Sequence, residues 1–205
     1  MRLSRLRALS ALALAAALVP VTSPAGAQNI ALGKNAFQSS DYDPSYSYAA
    51  KAVDGNTQGN YFVSPGVTAT QFNFNGWWYV DLGGSYNIAT ITLWNRTDCC
   101  GNRLADFFVS VLAAGTPNVS DINAPTVWTQ LFSGQAGVTE VFLPGGALGQ
   151  YVKVQYDNHA DYLQLAEVEV IAGGVTVTPE PASLLLVASG LLAFGGVAAR
   201  RRKIS

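Results

Sequence analysis

The chain is poor in cations away from its ends, holds two cysteines and one histidine in 205 residues, and sustains no helical periodicity in its middle. Each shortage excludes something. From Gln28 to Val177, five Lys or Arg stand against twelve Asp or Glu, a net charge of −7. A surface so acidic is not suited to nucleic acid. Two adjacent cysteines with no histidine beside them are too few for a structural zinc site. The lone His159 has no Gly-x-Ser-x-Gly elbow to serve, and no pair of acids carries the signature of a glycoside-cleaving couple. No enzyme is expected. The missing 3.6-residue period argues against a helical bundle.

Short, strand-like runs fill the middle. Trp77 to Leu82, Asn87 to Trp94, Asp106 to Leu112, Val127 to Phe132, Thr139 to Leu143, Tyr151 to Tyr156 and Leu163 to Ile171 are aromatic or β-branched. Gly83-Gly84, Gly115-Thr116-Pro117 and Pro144-Gly145-Gly146 punctuate them as turns. Strands of this length and spacing predict an all-β sandwich or jelly roll. There is no internal repeat. About 145 residues suffice for one domain with its own core and no disulfide scaffold.

The scarce residue types gather in one place. Asn95-Arg96-Thr97-Asp98-Cys99-Cys100-Gly101-Asn102-Arg103 holds both cysteines and the only two arginines of the central region. A guanidinium presents a rigid fork of donors to paired oxygens, and Asp98 between the two forks can hold them in place. The string predicts a recognition site for an oxygen-rich, polar ligand. An ordinary surface salt bridge is the alternative for Asp98.

The ends read as addresses. Arg2, Arg5 and Arg7 precede an apolar run from Ala8 to Val19 and then Ala25-Gly26-Ala27. That is the order of a signal peptide, predicted over residues 1–27, with a retained anchor as the alternative. At the other end a linker over 175–181 carries Pro179-Glu180-Pro181, an apolar segment covers 182–199, and Arg200-Arg201-Arg202-Lys203 opens a basic tail over 200–205. An apolar segment of about 18 residues is just enough to cross a bilayer core, and the cations behind it stay cytoplasmic. These three parts in order resemble the PEP-CTERM sorting signal. The resemblance implies a bacterium that makes extracellular polysaccharide, export machinery and an exosortase that removes the span. The destination would be the cell surface or extracellular matrix, with transient membrane anchoring. A permanent single-span anchor is the alternative. In such a compartment the two thiols are free to oxidise.

Residues 28–174 resemble an F-type lectin, the fucolectin branch of the discoidin and coagulation-factor C-domain superfamily. Asn29-Ile30-Ala31-Leu32-Gly33-Lys34 and Gln38-Ser39-Ser40 are similar to the family's opening, Ala52-Val53-Asp54-Gly55-Asn56 to its Asp-Gly-Asn loop, and Trp77-Trp78 through Asp81-Leu82 to its aromatic strand. Leu163 to Val170 resembles its closing strand, and Arg96-x-Asp98-Cys99-Cys100-x-x-Arg103 its Arg-x-Asp-x4-Arg signature. The resemblance implies an eight-stranded antiparallel jelly roll, a discoidin-like β-sandwich with a sugar site in loops at one end. Arg96 and Arg103 would donate to the oxygens of a fucose-like deoxyhexose in fucosylated or related glycans, with Asp98 orienting them. Cys99 and Cys100 would form a ring disulfide against the sugar's apolar edge, reduced thiols being the alternative. A family histidine falls at Ala69, and His159 could reach the site from another loop or stay solvated. A structural calcium ion would take Asp54, Asn56 and Glu167 with oxygens from Lys51, Ala166 and Ser64, although Asp54-Gly55-Asn56 is also a sound turn without metal. The implied function is a carbohydrate-binding module; a matrix protein that has kept the fold and lost the sugar is the alternative.

Overall fold

The computed structural model describes residues 28–63, 66–135 and 137–173. The predicted signal peptide, the linker from Pro179, the apolar span and the basic tail lie outside them. Among the described residues no helix is long and apolar enough to cross a membrane.

Ten strands form in chain order: β1 Asn35–Gln38, β2 Thr68–Ala69, β3 Asn73–Phe74, β4 Trp77–Trp94, β5 Ala105–Leu112, β6 Trp128–Gln135, β7 Thr139–Tyr156, β8 Ala160–Asp161, β9 Gln164–Leu165 and β10 Glu167–Ala172. Single 3-10 turns lie at Ala49–Val53 and Gly101–Arg103. The main sheet runs β1-β4-β7-β5-β6, with β10 also pairing β4, while β2-β9 and β3-β8 make two small ladders. All pairs are antiparallel. These layers close an all-β sandwich over one core that includes Trp78, Val80, Ile91, Phe107, Val154 and Leu165. The Trp78 indole N–H donates to the Ala49 carbonyl at 2.9 Å, tying the first 3-10 turn under the sheet.

The jelly roll implied by the resemblance has eight strands, and ten form here. Of the seven strand-like runs in the sequence two pairs merge and one divides, and β1, β2, β3 and β8 add four short strands that no run marked. Trp77–Leu82 and Asn87–Trp94 are one strand, and so are Thr139–Leu143 and Tyr151–Tyr156. The glycine pairs between them are excursions within a continuous ladder. Pairing jumps from Asp81↔Tyr151 to Tyr86↔Gly149, which places extra residues on β4. It then jumps from Ile88↔Ala147 to Thr90↔Phe142, which places them on β7. Between Ile88 and Ile91 the inward parity of β4 switches. Trp78, Val80, Leu82 and Ile88 face the core before the change, and Ile91 and Leu93 after it. A bulge allows this without exposing either apolar set. The predicted strand Leu163–Ile171 divides at Ala166, whose N–H turns to the Trp94 carbonyl at 2.7 Å.

β10 runs beside the second half of β4 from Glu167↔Trp94 to Ala172↔Ile88. It therefore begins where the arginine-bearing loop leaves β4.

Candidate functional site

Asn95 shapes the turn after β4. Its amide donates to the Gly101 carbonyl at 2.8 Å and accepts the Arg96 N–H at 2.7 Å. The chain must double back sharply, with Cys100 at a φ of 59°. A Cβ on Gly101 would lie 2.9 Å from the Arg96 carbonyl oxygen, so the close approach needs glycine. Cys99 and Cys100 are joined as a disulfide within this turn.

The Arg96 side chain is buried. Its Nε and Nη2 donate to the two oxygens of Asp98 at 2.8 and 2.7 Å, a fork-to-fork pair. Asp98 Oδ1 also accepts the Tyr61 N–H at 2.9 Å. The hydrogen bonds from Arg96, above all other causes, hold the Asp98 carboxyl down at about 2, so the pair stays ionised at any ordinary pH. The Arg96 guanidinium lies 4.6 Å from the Tyr61 ring centroid and 5.8 Å from that of Phe62.

Tyr61 and Phe62 are brought there by Gly59. A Cβ on Gly59 would meet the Asn95 carbonyl oxygen at 2.4 Å, and the Gly59 carbonyl accepts the Thr97 N–H at 2.8 Å. Arg103 enters from the opposite side. Its carbonyl accepts the buried Tyr156 hydroxyl at 2.8 Å, which also donates to the Tyr162 carbonyl at 3.0 Å. Burial pushes the Tyr156 phenol far above its ordinary range and keeps it a donor. The Arg103 guanidinium stacks on Tyr162 at 4.6 Å and keeps a loose 3.6 Å contact with Asp161.

The two guanidinium groups share one concavity of about 330 Å³, lined by Tyr42, Tyr61, Phe62, Arg96, Arg103, Tyr162 and Gln164. Edge contacts of Tyr42 with Tyr61 and with Tyr162 join the aromatic rings into a collar. The site therefore offers fixed donors among apolar ring surfaces, which suits a ligand with hydroxyls on one side and hydrocarbon on the other.

A family model described as a NedA-like, galactose-binding domain matches residues 51–154. Fucolectin-6 of Anguilla japonica is 34% identical over 149 residues, covering 71% of this chain and 76% of that protein. The chain belongs to the fucolectin family. Fucolectin-4 of the same species is 36% identical over 149 residues, with 71% of this chain and 80% of that one covered. Among solved structures, the lectin domain of lectinolysin complexed with Lewis B antigen matches with a TM-score of 0.62 at 37% identity, over 72% of this chain and 98% of that one. A fucose-binding module of Streptococcus pneumoniae matches with a TM-score of 0.62 at 31% identity, over 74% and 100% respectively. Residues 177–203 match the PEP-CTERM protein-sorting motif.

Within this fucolectin-family domain the structure brings Arg96 and Arg103 to one pocket. Asp98 holds Arg96 but does not line the pocket, and the carboxylate beside Arg103 is that of Asp161. The disulfide stands slightly apart: Cys99 and Cys100 line an adjoining groove of about 490 Å³ that shares Arg96 with the pocket. His159 packs its ring 4.3 Å from that of Tyr156 and does not line the pocket. Ala69 is buried on β2, opposite Gln164 of β9. Asp54, Gly55 and Asn56 follow the first 3-10 turn and meet Glu167 at the start of β10, where both Glu167 oxygens lie 3.2 Å from the Gly55 N. Ser64 lies outside the described residues. Tyr42, Tyr61, Phe62, Tyr162 and Gln164 went unnoticed in the sequence. The four aromatics carried a signal, as rings in turn-rich segments with no strand alternation to account for them, whereas Gln164 within a strand-like run carried none.

Proposed function

We propose that this chain is an exported, non-catalytic lectin module whose pocket between Arg96 and Arg103 holds a fucose-like deoxyhexose of extracellular glycans. The observation that carries the reading is the convergence of both guanidinium groups on one aromatic-collared concavity. Asp98 consumes Nε and Nη2 of Arg96, so Nη1 remains to face a ligand. The Arg103 fork is held only loosely. Hydroxyl oxygens would accept from these donors, and the ring faces would cover the methyl and C–H edge of the sugar. The names of the relatives, fucolectins and fucose-binding modules, support this choice of sugar. A sugar of about eleven heavy atoms at roughly 0.4–0.5 kcal/mol each binds with a dissociation constant near 0.1–1 mM. Retention on a matrix would then need many copies.

Calcium fits beside this site. Glu167 is fully buried and accepts N–H groups from Gly55 at 3.2 Å and from the Asn29 amide at 3.5 Å. Burial pushes its carboxyl up to about 7, and the neighbouring Asp54 charge adds to the rise. The Asn56 Nδ2 is buried without a partner among the described residues, while its Oδ1 accepts the Gln58 N–H at 3.2 Å and keeps a second lone pair. Among the described residues no three His, Cys, Asp or Glu side chains converge, so an ion here would depend on amide and backbone oxygens, as calcium does. Asp54, Asn56 and Glu167 would hold it with the carbonyls of Lys51 and Ala166. When bound it would supply the positive charge that lets the Glu167 carboxylate stay ionised and would pin the Asp54 loop to β10.

Glycan binding to the wild type and to an Arg96→Ala, Arg103→Ala double variant tests the main reading. Wild type is expected to bind fucosylated glycans and the variant to bind none. Binding to no fucosylated glycan, with wild type and variant equally retained in biofilm, supports the matrix-protein alternative that Ala69 favours. For calcium, EDTA is expected to lower the melting temperature; an unchanged value rejects the ion.

A further inference from the structure

We infer that Gln164 supplies the pocket's side-chain acceptor and determines which sugar hydroxyl is read, in place of the histidine that position 69 lacks. This rests on the deoxyhexose reading of the same pocket.

Gln164 is almost wholly buried, yet it lines the pocket with both arginines. Its Oε1 is sealed from solvent and meets no donor among the described residues. Buried polar oxygens are rarely left in that state, and because the residue stands on the pocket wall a turn of its amide brings that oxygen to a ligand donor. The backbone there is fixed: the Thr70 N–H donates to the Leu163 carbonyl at 3.0 Å, and the Leu163 N–H donates to Thr70 Oγ1 at 2.9 Å. Leu163 and Leu165 on either side are both buried in the core.

Register supplies the second half of the argument. Gln164 stands directly opposite Ala69, so the two side chains share one face of the β2-β9 ladder. A methyl at position 69 fills less of that face than an imidazole would, and the amide opposite is the polar side chain of the pair. Ala69 itself is fixed in place, its N–H donating to the Ser47 carbonyl at 3.0 Å and its carbonyl accepting from Tyr42 at 2.9 Å. An amide, like a neutral imidazole, offers one acceptor and one donor side by side.

The chemistry of the lining explains why an acceptor is needed. Arg96 and Arg103 only donate. A sugar hydroxyl whose oxygen accepts from a guanidinium still carries its own proton, and that proton needs a partner. Apart from the tyrosine hydroxyls, Gln164 Oε1 is the side-chain acceptor in the lining. A neutral amide meets this need without a negative charge to capture the forks, as Asp98 already captures part of Arg96.

The test titrates the full-length protein and its Gln164→Met variant, which keeps the length and removes both polar ends. The ligands are methyl fucoside and its monodeoxy analogues at each ring hydroxyl. The variant is expected to bind methyl fucoside about tenfold more weakly. Wild type should lose a similar factor on one analogue, and the variant should no longer distinguish that analogue from the parent. Unchanged affinity in the variant, or an unchanged profile across the analogues, overturns the role of Gln164 while leaving the arginine pocket standing. Binding of none of the sugars by wild type overturns both readings. Should the variant fail to fold, glutamine-labelled wild type answers alone: the Gln164 side-chain amide resonance should shift on adding methyl fucoside, and a fixed resonance overturns the proposal.

Discussion

Replacing Asp98 with Asn probes how firmly the Arg96 fork is held. In wild type the carboxylate accepts three N–H groups, from Arg96 Nε at 2.8 Å, Arg96 Nη2 at 2.7 Å and the Tyr61 amide at 2.9 Å. The substituted amide keeps one acceptor oxygen and turns its NH2 toward a guanidinium nitrogen, donor against donor. At least one charge-assisted bond is lost, worth about 1.5–3 kcal/mol. Arg96, with 7% of its side chain exposed, also loses its counter-charge. The full cost of breaking a buried pair, about 3–5 kcal/mol, is an upper limit here, because Tyr61 and Phe62 still cover the cation. We expect Asp98→Asn to lose about 2–3 kcal/mol by urea denaturation at pH 7. Fucoside affinity, read by calorimetry, should fall about tenfold as the donor at Nη1 swings out of line. The pH dependence carries a sign. Asp98 titrates at about 2 when folded against an ordinary 3.8. A depressed carboxyl stabilises fully above its unfolded value and ceases to do so as pH falls through the folded one. The gap between wild type and variant should thus be flat from pH 8 to 5 and shrink between about 4 and 2. Equal stability and equal affinity at pH 7 would refute this reasoning, as would a gap that widens in acid.

Three further outcomes follow from other parts of the molecule. Reducing the Cys99–Cys100 bond opens a loop of only two residues, so calorimetry should show a loss of about 1 kcal/mol, and a much larger loss contradicts that account. Gly59→Ala sets a methyl 2.4 Å from the Asn95 carbonyl oxygen; chemical denaturation should show about 1–3 kcal/mol lost, with sugar affinity falling because Tyr61 and Phe62 move away from Arg96. Burial lowers the Lys153 ammonium to about 8 although its Nζ donates to the Asp121 carbonyl at 2.6 Å. Between pH 8 and 10.5 the unfolded chain keeps a proton that the folded one releases, so stability should rise with pH, by at most about 1.4 kcal/mol per unit. Lys153→Met should flatten that rise in urea titrations run across the same range.

What the sequence disclosed was chemistry packed into consecutive residues. Arg96, Asp98 and Arg103 are eight positions of chain, and the turn that joins them is made by Asn95 and Gly101 within the same stretch. The longer strand-forming runs were visible because period-2 alternation is local, whereas β1, β2, β3 and β8, at two to four residues each, are too short to show a period. Where the ladder continued past Gly83-Gly84 and Pro144-Gly145-Gly146, turn chemistry was the wrong guide: cross-strand pairing of β4 with β7 outweighs it on either side. The aromatic collar was illegible for another reason. Tyr42, Tyr61 and Tyr162 are far apart in the chain and meet only after the sandwich closes. Gln164 was hidden within an apolar strand, and its relation to Ala69 exists only through the register of β2 with β9.

The direction of β10 has a bearing on how the domain is displayed. Glu167 lies beside Trp94, next to the arginine loop, whereas Ala172 lies beside Ile88 and the Gly173 N–H reaches the Asn87 carbonyl at 2.7 Å. Five residue steps of strand separate these levels, about 17 Å. The polypeptide thus exits at the pole away from the pocket. Attachment of the domain beyond Gly173 would leave the mouth of the pocket on its far side.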